Sequence, residues 1–284
     1  MRIALFQMTS GIDPAANAAA IERAIGEAKA GGAAMLFTPE MSGLIDKDRE
    51  RAAPHYHGQG EDPVLARVRA AAKAAGLWVH VGSLAVRADD GRLANRAFVI
   101  DDAGEIRATY DKIHLFDVDL PTGESWRESA SYAPGSRAVV VEETPVGRLG
   151  LTICYDLRFP ALFAALAEAG AEVIAVPAAF TVSTGEAHWH LLLRARAVEA
   201  ELFVVAAAQG GRHEDGRATY GHSLVAGPWG ELLLDLGDAH GTVGFVDLDL
   251  ERIAEVRSRL PALKHRREFD PVRPMAVAGP ATAP

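Results

Sequence analysis

Short strands and helices alternate along this chain, and that alternation restricts its fold more than any other feature of the sequence. Apolar, partly β-branched runs predict buried strands, for example Arg2–Gln7 and Ala34–Phe37. The segments Pro14–Ala30 and Val64–Ala75 begin at or beside a proline and end before a glycine, which predicts helices. Strands interleaved with helices predict a mixed sheet that has helices on its outside.

A similar order of elements occurs in both halves of the chain, although the halves share no sequence repeat. Each half can therefore form one sheet. Two such sheets packed face to face, with helices on both outer sides, would give a four-layer α-β-β-α sandwich, which is the predicted fold. No break in composition marks a linker, so we expect one domain over residues 1–272 and a disordered tail over 273–284. Further predicted elements are strands at 77–86, 93–100, 105–114, 138–142, 148–153, 172–176, 202–208, 222–226, 231–236 and 242–247, helices at 161–169, 186–199 and 248–260, and a long surface loop at 116–134.

Charge and composition exclude several classes of protein. The net charge is −9 and the acidic groups are spread along the chain, whereas a nucleic-acid surface needs clustered Lys and Arg. The apolar runs are shorter than the ~20 residues of a membrane span, and the N-terminal run is too short for a signal peptide. One cysteine permits no internal disulfide, which suits a reducing compartment. We therefore expect a soluble cytoplasmic protein without nucleic-acid or membrane partners.

The single cysteine, Cys154, lies where a predicted strand gives way to a loop and a helix. In open α/β sheets, ligands bind at such strand ends. By itself, this thiol is as compatible with a small buried apolar residue as with a nucleophile. Two other ionisable side chains, Glu40 and Lys112, also lie at or just after predicted strand ends, where a rigid backbone can fix a side chain beside a cleft.

These three side chains supply the parts of a thiol-based acyl transfer. A thiol attacks a carbonyl as the thiolate, and free cysteine has a pKa of ~8.5, so it needs a base or a neighbouring cation. Glu40 can accept the proton of Cys154, and Lys112 can stabilise the oxyanion of the tetrahedral intermediate. The backbone N–H of Tyr155 is the natural second donor to that oxyanion. We therefore expect amide hydrolysis through a thioester.

Three motifs, in this order, resemble those of the nitrilase superfamily of carbon–nitrogen hydrolases, and the resemblance extends from Arg2 to about Asp270. It implies an α-β-β-α sandwich, a Glu-Lys-Cys triad, no cofactor and a homodimer or larger homo-oligomer. It also implies a second active-site carboxylate, Glu128, that orients the lysine or the attacking water. The motifs are Phe37-Thr-Pro-Glu40, Tyr110-Asp-Lys112-Ile-His-Leu-Phe116 and Gly150-Leu-Thr-Ile-Cys154-Tyr-Asp-Leu-Arg-Phe-Pro160, and they place the triad at Glu40, Lys112 and Cys154.

The segment from Phe180 to Arg196 resembles the branch that contains ω-amidases and deaminated-glutathione amidases, and residues 205–213 and 220–223 resemble the second group more. Both groups cleave an amide distal to an α-keto acid, so their substrates carry carboxylates. Arg158, four residues after Cys154, is the expected carboxylate-binding residue. The expected substrate-binding residues are Tyr155, Arg158, Phe180 and Thr184.

Several alternatives remain open at this point. A nitrilase or an N-carbamoyl amidohydrolase would use the same triad, and an ω-amidase would act on 2-oxoglutaramate or 2-oxosuccinamate. A binding or scaffold protein on an inactive nitrilase fold is the non-enzymatic alternative, which the intact set of catalytic residues disfavours. His114 lies two residues beyond Lys112, so a Cys154–His114 pair is a second possible nucleophile and base. No His-Glu-x-x-His spacing occurs, so we expect no zinc site.

Overall fold

The computed structural model describes residues 1–88, 90–119, 123 and 125–274. Most of its strands belong to two large sheets, and two two-stranded hairpins lie outside them. The predicted tail from residue 275 onwards lies outside the described residues, as does Asp89 of the predicted turn at 89–91. The strands are β1 (Arg2–Gln7), β2 (Met35–Phe37), β3 (His57–Gly58), β4 (Trp78–Arg87), β5 (Leu93–Ile100), β6 (Ile106–Asp111), β7 (Asp117–Asp119), β8 (Ser125–Arg127), β9 (Val139–Thr144), β10 (Gly147–Leu151), β11 (Val173–Ala175), β12 (Phe203–Ala206), β13 (Gly210–Arg212), β14 (Ala218–Tyr220), β15 (Leu224–Ala226), β16 (Leu232–Asp235) and β17 (Thr242–Asp247).

Helix starts follow the predicted proline and cap signals. The side chain of Asp13 accepts from the Ala15 N–H at 2.9 Å, and that of Asp62 accepts from the Leu65 N–H at 2.8 Å. Each bond satisfies one of the donors that the first turn of a helix leaves without a partner. The helices are α1 (Pro14–Ala30), α2 (Arg49–Ala52), α3 (Pro63–Ala75), α4 (Pro160–Glu168), α5 (Val182–Ala200), α6 (Glu251–Arg259) and α7 (Ala262–His265).

The predicted start of α5 at Glu186 is wrong, because the helix begins four residues earlier at Val182. Gly185 does not break this helix. It lies against the ring of Tyr220, which occupies the space that a Cβ would need. Thr184 therefore belongs to the first turn of a helix, not to a loop.

The two large sheets pack face to face, and helices cover their outer faces. The first sheet has the order β17-β1-β2-β4-β5-β6, with β3 beside β4, and the second has the order β16-β15-β12-β11-β10-β9. Side chains of β1 alternate between two cores: Ile3 and Leu5 join the core shared with the second sheet, whereas Ala4 and Phe6 join the core with α1 and α3. The second sheet packs in turn on α4 and α5. The predicted four-layer α-β-β-α sandwich is confirmed.

The sheets come into close contact at Gly82 in β4. A Cβ at this position would lie 2.5 Å from the Cβ of Pro177, which follows β11, and would also overlap the backbone of Thr38 and Pro39 after β2. Only glycine permits this approach without displacement of a neighbour. The contact brings the end of β2 next to the end of the second sheet, where the catalytic candidates lie.

The predicted long loop at 116–134 is in part wrong. Its described residues contain the short antiparallel hairpin of β7 and β8, followed by a 3₁₀ turn at Glu128–Ala130. The loop residues 120–122 and 124 lie outside the described part of the chain. The hairpin of β13 and β14 was also not predicted, since its strands are only three residues long.

Within the described ranges, no helix is long and apolar enough to cross a membrane.

Candidate active site

The structure brings the predicted carboxylates and the predicted lysine into direct contact. Glu40 lies three residues after β2, Lys112 directly follows β6, and Glu128 begins the 3₁₀ turn after β8. The Lys112 Nζ is 2.9 Å from Glu40 Oε1 and 2.8 Å from Glu128 Oε2. The exposed fraction of the side chain is 2% for Lys112, 6% for Glu40 and 12% for Glu128. Both ion pairs therefore form away from bulk water.

Asn95 is a site residue that sequence reasoning missed. Its Nδ2 donates to Glu40 Oε1 at 2.9 Å and to Glu128 Oε1 at 3.0 Å, so one amide group joins the two carboxylates. The available signal was its place in β5: Ala97 and Val99 lie in the core between the sheets, and period-two alternation puts Asn95 on the same face. A buried amide on an otherwise apolar face needs polar partners.

Backbone donors complete the surroundings of the two carboxylates. The Ala179 N–H donates to Glu40 Oε2 at 2.9 Å, and the Phe116 N–H donates to Glu128 Oε2 at 2.7 Å. All four carboxylate oxygens of Glu40 and Glu128 therefore accept hydrogen bonds from the protein. Because the donors come from several separate elements, the orientation of each carboxylate is fixed.

Cys154 is the first residue of a 3₁₀ helix, Cys154–Arg158, which follows β10 after a tight turn. β10 ends at Leu151, two residues before the predicted end, and Cys154 adopts a left-handed backbone conformation with φ of 50°. Its N–H donates to the Pro177 carbonyl at 2.8 Å, which holds the turn against the neighbouring strand end. Non-glycine residues in this conformation are strained and are concentrated at functional sites. The next residue, Tyr155, lies in the first helical turn, where a backbone N–H has no intrahelical acceptor.

Asp156 fixes this turn against the segment that carries the lysine. Its fully buried carboxylate accepts from the Ile153 N–H at 2.9 Å and the Tyr110 hydroxyl at 2.7 Å. It also contacts the Nδ1 of His114 at 2.7 Å, and the His114 ring stacks on Phe159. The structure thus pairs His114 with Asp156, not with Cys154, and the sequence-based view of Asp156 as a turn residue is confirmed.

Electrostatics define the resting protonation states of the site. Burial disfavours the charged form of Lys112, but the carboxylates of Glu128 and Glu40 outweigh it and hold the pKa of Lys112 well above its usual range. Burial and the Glu40 carboxylate raise the pKa of the Cys154 thiol well above its usual range, and the Lys112 ammonium only partly opposes them. The resting site therefore combines a neutral thiol with an ammonium group. The thiolate has to form during attack, by proton transfer to a base.

A cavity of about 430 Å³ opens over these groups. Its size falls within the range of small-molecule sites, which is about 300–1,000 Å³. The catalytic candidates and the expected substrate-binding residues all line this one cavity. They are Glu40, Lys112, Glu128 and Cys154, with Tyr155, Arg158, Phe180 and Thr184.

Cations on the cavity wall are available to a bound anion. The Arg158 guanidinium lies 5.9 Å from the centre of the Tyr155 ring and 5.6 Å from that of Phe180, and it has no carboxylate partner among the residues described. Lys47 and Arg49 also line the cavity, and in the described ranges they too form no ion pair. Sequence reasoning missed these two, because Lys47 in a loop and Arg49 at the start of the four-residue helix α2 carry no periodic or motif signal.

Known proteins are similar to this chain in sequence and fold. Residues 2–258 match the family described as Carbon-nitrogen hydrolase. Over 268 residues the chain is 41% identical to the deaminated glutathione amidase of Yersinia enterocolitica, and the match covers 93% of this chain and 92% of that protein. The structure is similar to that of the C. elegans NitFhit protein, with a TM-score of 0.86 and 36% identity over 94% of this chain and 65% of that one. It is also similar to a mutant amidase from Nesterenkonia sp. AN1 in which acrylamide has added to the active-site cysteine, with a TM-score of 0.75 and 29% identity over 92% of this chain and 98% of that one.

Proposed function

We propose that this chain, which belongs to the carbon–nitrogen hydrolase family, hydrolyses deaminated glutathione through a thioester on Cys154. Its reaction class is the hydrolysis of linear amides, and relatives from bacteria to mammals that are 36–41% identical carry the name deaminated glutathione amidase. The observation that carries the substrate proposal is Arg158, a cation without a carboxylate partner among the described residues, on the wall of the cavity that contains the thiol.

In the acylation step, Glu40 removes the thiol proton as Cys154 Sγ attacks the amide carbon. A carbon–sulfur bond forms, and the carbonyl electron pair moves to oxygen. Lys112 has three N–H donors, of which Glu40 and Glu128 engage two, so the third can bind the oxyanion beside the Tyr155 N–H. When the intermediate collapses, the carbon–nitrogen bond breaks and protonated Glu40 gives its proton to the leaving amine.

In the deacylation step, Glu40 removes a proton from water, which attacks the thioester carbonyl. The same donors bind the second oxyanion, and the carbon–sulfur bond then breaks. Glu40 returns the proton to the Cys154 thiolate, which restores the resting state. Glu128 and Asn95 take part in neither proton transfer nor bond formation. Their role is to hold Lys112 and Glu40 in position through hydrogen bonds.

The cavity wall supports a substrate with two carboxylates. Deaminated glutathione has one carboxylate on its α-keto acid and one on its terminal glycine, whereas 2-oxoglutaramate has only the first. Arg158 is the proposed partner of the α-keto acid carboxylate. Lys47 and Arg49, which come from another segment of the wall, are the proposed partners of the second carboxylate.

A substrate panel on the wild type and on Cys154→Ala tests this function. We expect the highest kcat/KM on deaminated glutathione, a lower value on 2-oxoglutaramate, and little turnover of N-carbamoyl amides or nitriles. Lys47→Ala combined with Arg49→Ala should reduce kcat/KM for deaminated glutathione and leave that for 2-oxoglutaramate nearly unchanged. A higher kcat/KM on 2-oxoglutaramate would make the chain an ω-amidase, and wild-type turnover by Cys154→Ala would exclude the mechanism.

The working form is proposed to be a cytoplasmic homodimer or larger homo-oligomer, in which residues 1–272 act as one domain. Exposed apolar side chains support self-association, since Leu191 and Val198 of α5 and the nearby Trp229 are 67%, 44% and 57% exposed. Light scattering should give at least twice the chain mass of 30.2 kDa. A mass equal to one chain would contradict the assembly.

A further inference from the structure

Two histidines and an aspartate from three separate elements converge beside α5. His190 lies on α5, His222 lies two residues before β15, and Asp235 is the last residue of β16. Asp235 Oδ2 is 2.8 Å from His190 Nε2, and Asp235 Oδ1 is 3.1 Å from His222 Nδ1. One donor atom from each residue lies within 4.8 Å of the other two. None of the three lines the catalytic cavity, and hydrolysis uses none of them.

The backbone and the neighbouring rings hold these side chains in place. His222 has a left-handed φ of 54°; its N–H donates to the Gly237 carbonyl at 2.8 Å, and its carbonyl accepts from the Trp189 indole at 2.8 Å. The His222 ring stacks on Tyr220, with ring centres 4.4 Å apart. The Gly237 N–H donates to Asp235 Oδ1 at 2.9 Å, which fixes the carboxylate. A cluster this constrained needs little rearrangement to bind a ligand.

We propose that His190, His222 and Asp235 form a binding site for a divalent transition metal ion, with Zn²⁺ as the best match. Imidazole nitrogens and a carboxylate are donors that Zn²⁺ accepts, and they leave a fourth position for water. Bond lengths near 2.0–2.1 Å in a tetrahedral site put donor atoms about 3.3 Å apart. The two Asp235 oxygens lie 3.1 and 3.3 Å from His222 Nδ1, close to that spacing.

Sequence spacing could not indicate this site. The sequence-based expectation of no zinc site depended on the absence of two histidines one helical turn apart on a single helix. Here the donors come from a helix, a loop and a strand, and only the fold brings them together. A bound ion would cross-link α5 to β15 and β16, so it would stabilise the folded chain.

Zinc binding by the tag-free, chelator-treated protein tests the proposal. After equilibrium dialysis against buffered Zn²⁺, the wild type should retain one equivalent per chain, measured by elemental analysis. His190→Ala and Asp235→Asn should bind at least ~10-fold more weakly, because even the loss of a group that only orients a metal ligand typically costs ~10–100-fold in affinity. His188→Ala is the matched control, because it removes an exposed imidazole two residues away on the same helix and should bind as the wild type does. Zn²⁺ should raise the Tm of the wild type more than that of His190→Ala at the same zinc concentration.

Three results would overturn the site. A wild type that retains no zinc would mean that the cluster is a hydrogen-bonded triad only. Equal binding by the wild type and both cluster variants would place the ion elsewhere. Zinc lost in Cys154→Ala but kept in His190→Ala would assign it to the catalytic thiol. Because no substrate is present, these outcomes do not depend on the proposed function.

Discussion

The base and the wall of the active-site cavity differ in how their charges are satisfied. The base, formed by Glu40, Asn95, Lys112, Glu128 and Cys154, has side chains that are almost inaccessible to solvent, and its ionised groups are fully paired. Two cations of the wall, Arg127 and Arg217, are paired with Asp119 and Asp215. The remaining wall cations among the described residues are Arg158, Lys47 and Arg49. They are partly or fully exposed, and in the described part of the chain no carboxylate pairs with them.

This difference separates the chemistry from substrate selection. Groups in the base are held by one another, so their geometry does not depend on which substrate is bound, and preorganised donors of this kind stabilise a transition state without reorganisation. Arg158, Lys47 and Arg49 of the wall instead gain a carboxylate partner only when an anionic substrate binds. Changes in the base should therefore reduce kcat, whereas changes in the wall should raise KM.

The largest effect is expected for Lys112→Met. It removes the oxyanion donor and leaves two nearly buried carboxylates without their cation, so kcat should fall by about 10³-fold. The free energy of unfolding should also fall by about 3–5 kcal/mol, as is typical when one partner of a buried ion pair is lost. Steady-state kinetics and urea unfolding measure the two effects. Unchanged stability would show that the carboxylates do not depend on this lysine.

Glu128→Gln should have a smaller effect on activity. The amide keeps the shape of the side chain but removes one of the two charges that orient Lys112, so kcat should fall by about 10²-fold with KM nearly constant. The matched control is Glu142→Gln, at an exposed position on β9, which should match the wild type in both constants. A change confined to KM would show that Glu128 acts in substrate binding, as the wall residues do, and not in catalysis.

Arg158→Ala tests the wall. For a carboxylate-bearing amide, KM should rise about 10–100-fold, because a hydrogen bond to a charged group contributes about 1.5–3 kcal/mol. For a neutral amide of similar size, KM should change little. Equal effects on both substrates, or a fall in kcat alone, would remove Arg158 as the carboxylate-binding residue.

The smallest expected effect is on the pH dependence of stability. The pKa of Cys154 is raised in the folded state, so its contribution is intact below the unfolded pKa of ~8.5 and declines as pH rises above it, because only the unfolded chain then releases the proton. By pH 10 the wild type should lose more stability than Cys154→Ala, up to a limit of about 2 kcal/mol that the unfolded pKa sets. Urea unfolding between pH 7 and pH 10 measures the difference. If the free energy of unfolding changes equally with pH in the wild type and in Cys154→Ala, folding does not raise the pKa of this thiol.

The base of the cavity could largely be predicted from the sequence, whereas the wall could not. Glu40, Lys112 and Cys154 lie at or just after strands that the sequence predicts, and the chemistry of a thiol nucleophile explains why the three belong together. Asn95 escaped notice because its meaning depends on two carboxylates that are distant in sequence. Packing of the sheets, helices and loops alone brings Lys47 and Arg49 to the cavity wall. The same holds for the proposed metal ligands His190, His222 and Asp235.

Partitioning of a shared acyl group tests the covalent mechanism most directly. Deaminated glutathione and 2-oxoglutaramate contain the same 2-oxoglutaryl group on different amines, so both should form one thioester on Cys154. In the presence of hydroxylamine, that thioester divides between hydroxamate and free acid. A common thioester predicts the same hydroxamate-to-acid ratio from both substrates at each hydroxylamine concentration. A ratio that depends on the leaving amine would show direct attack by water and contradict the thioester.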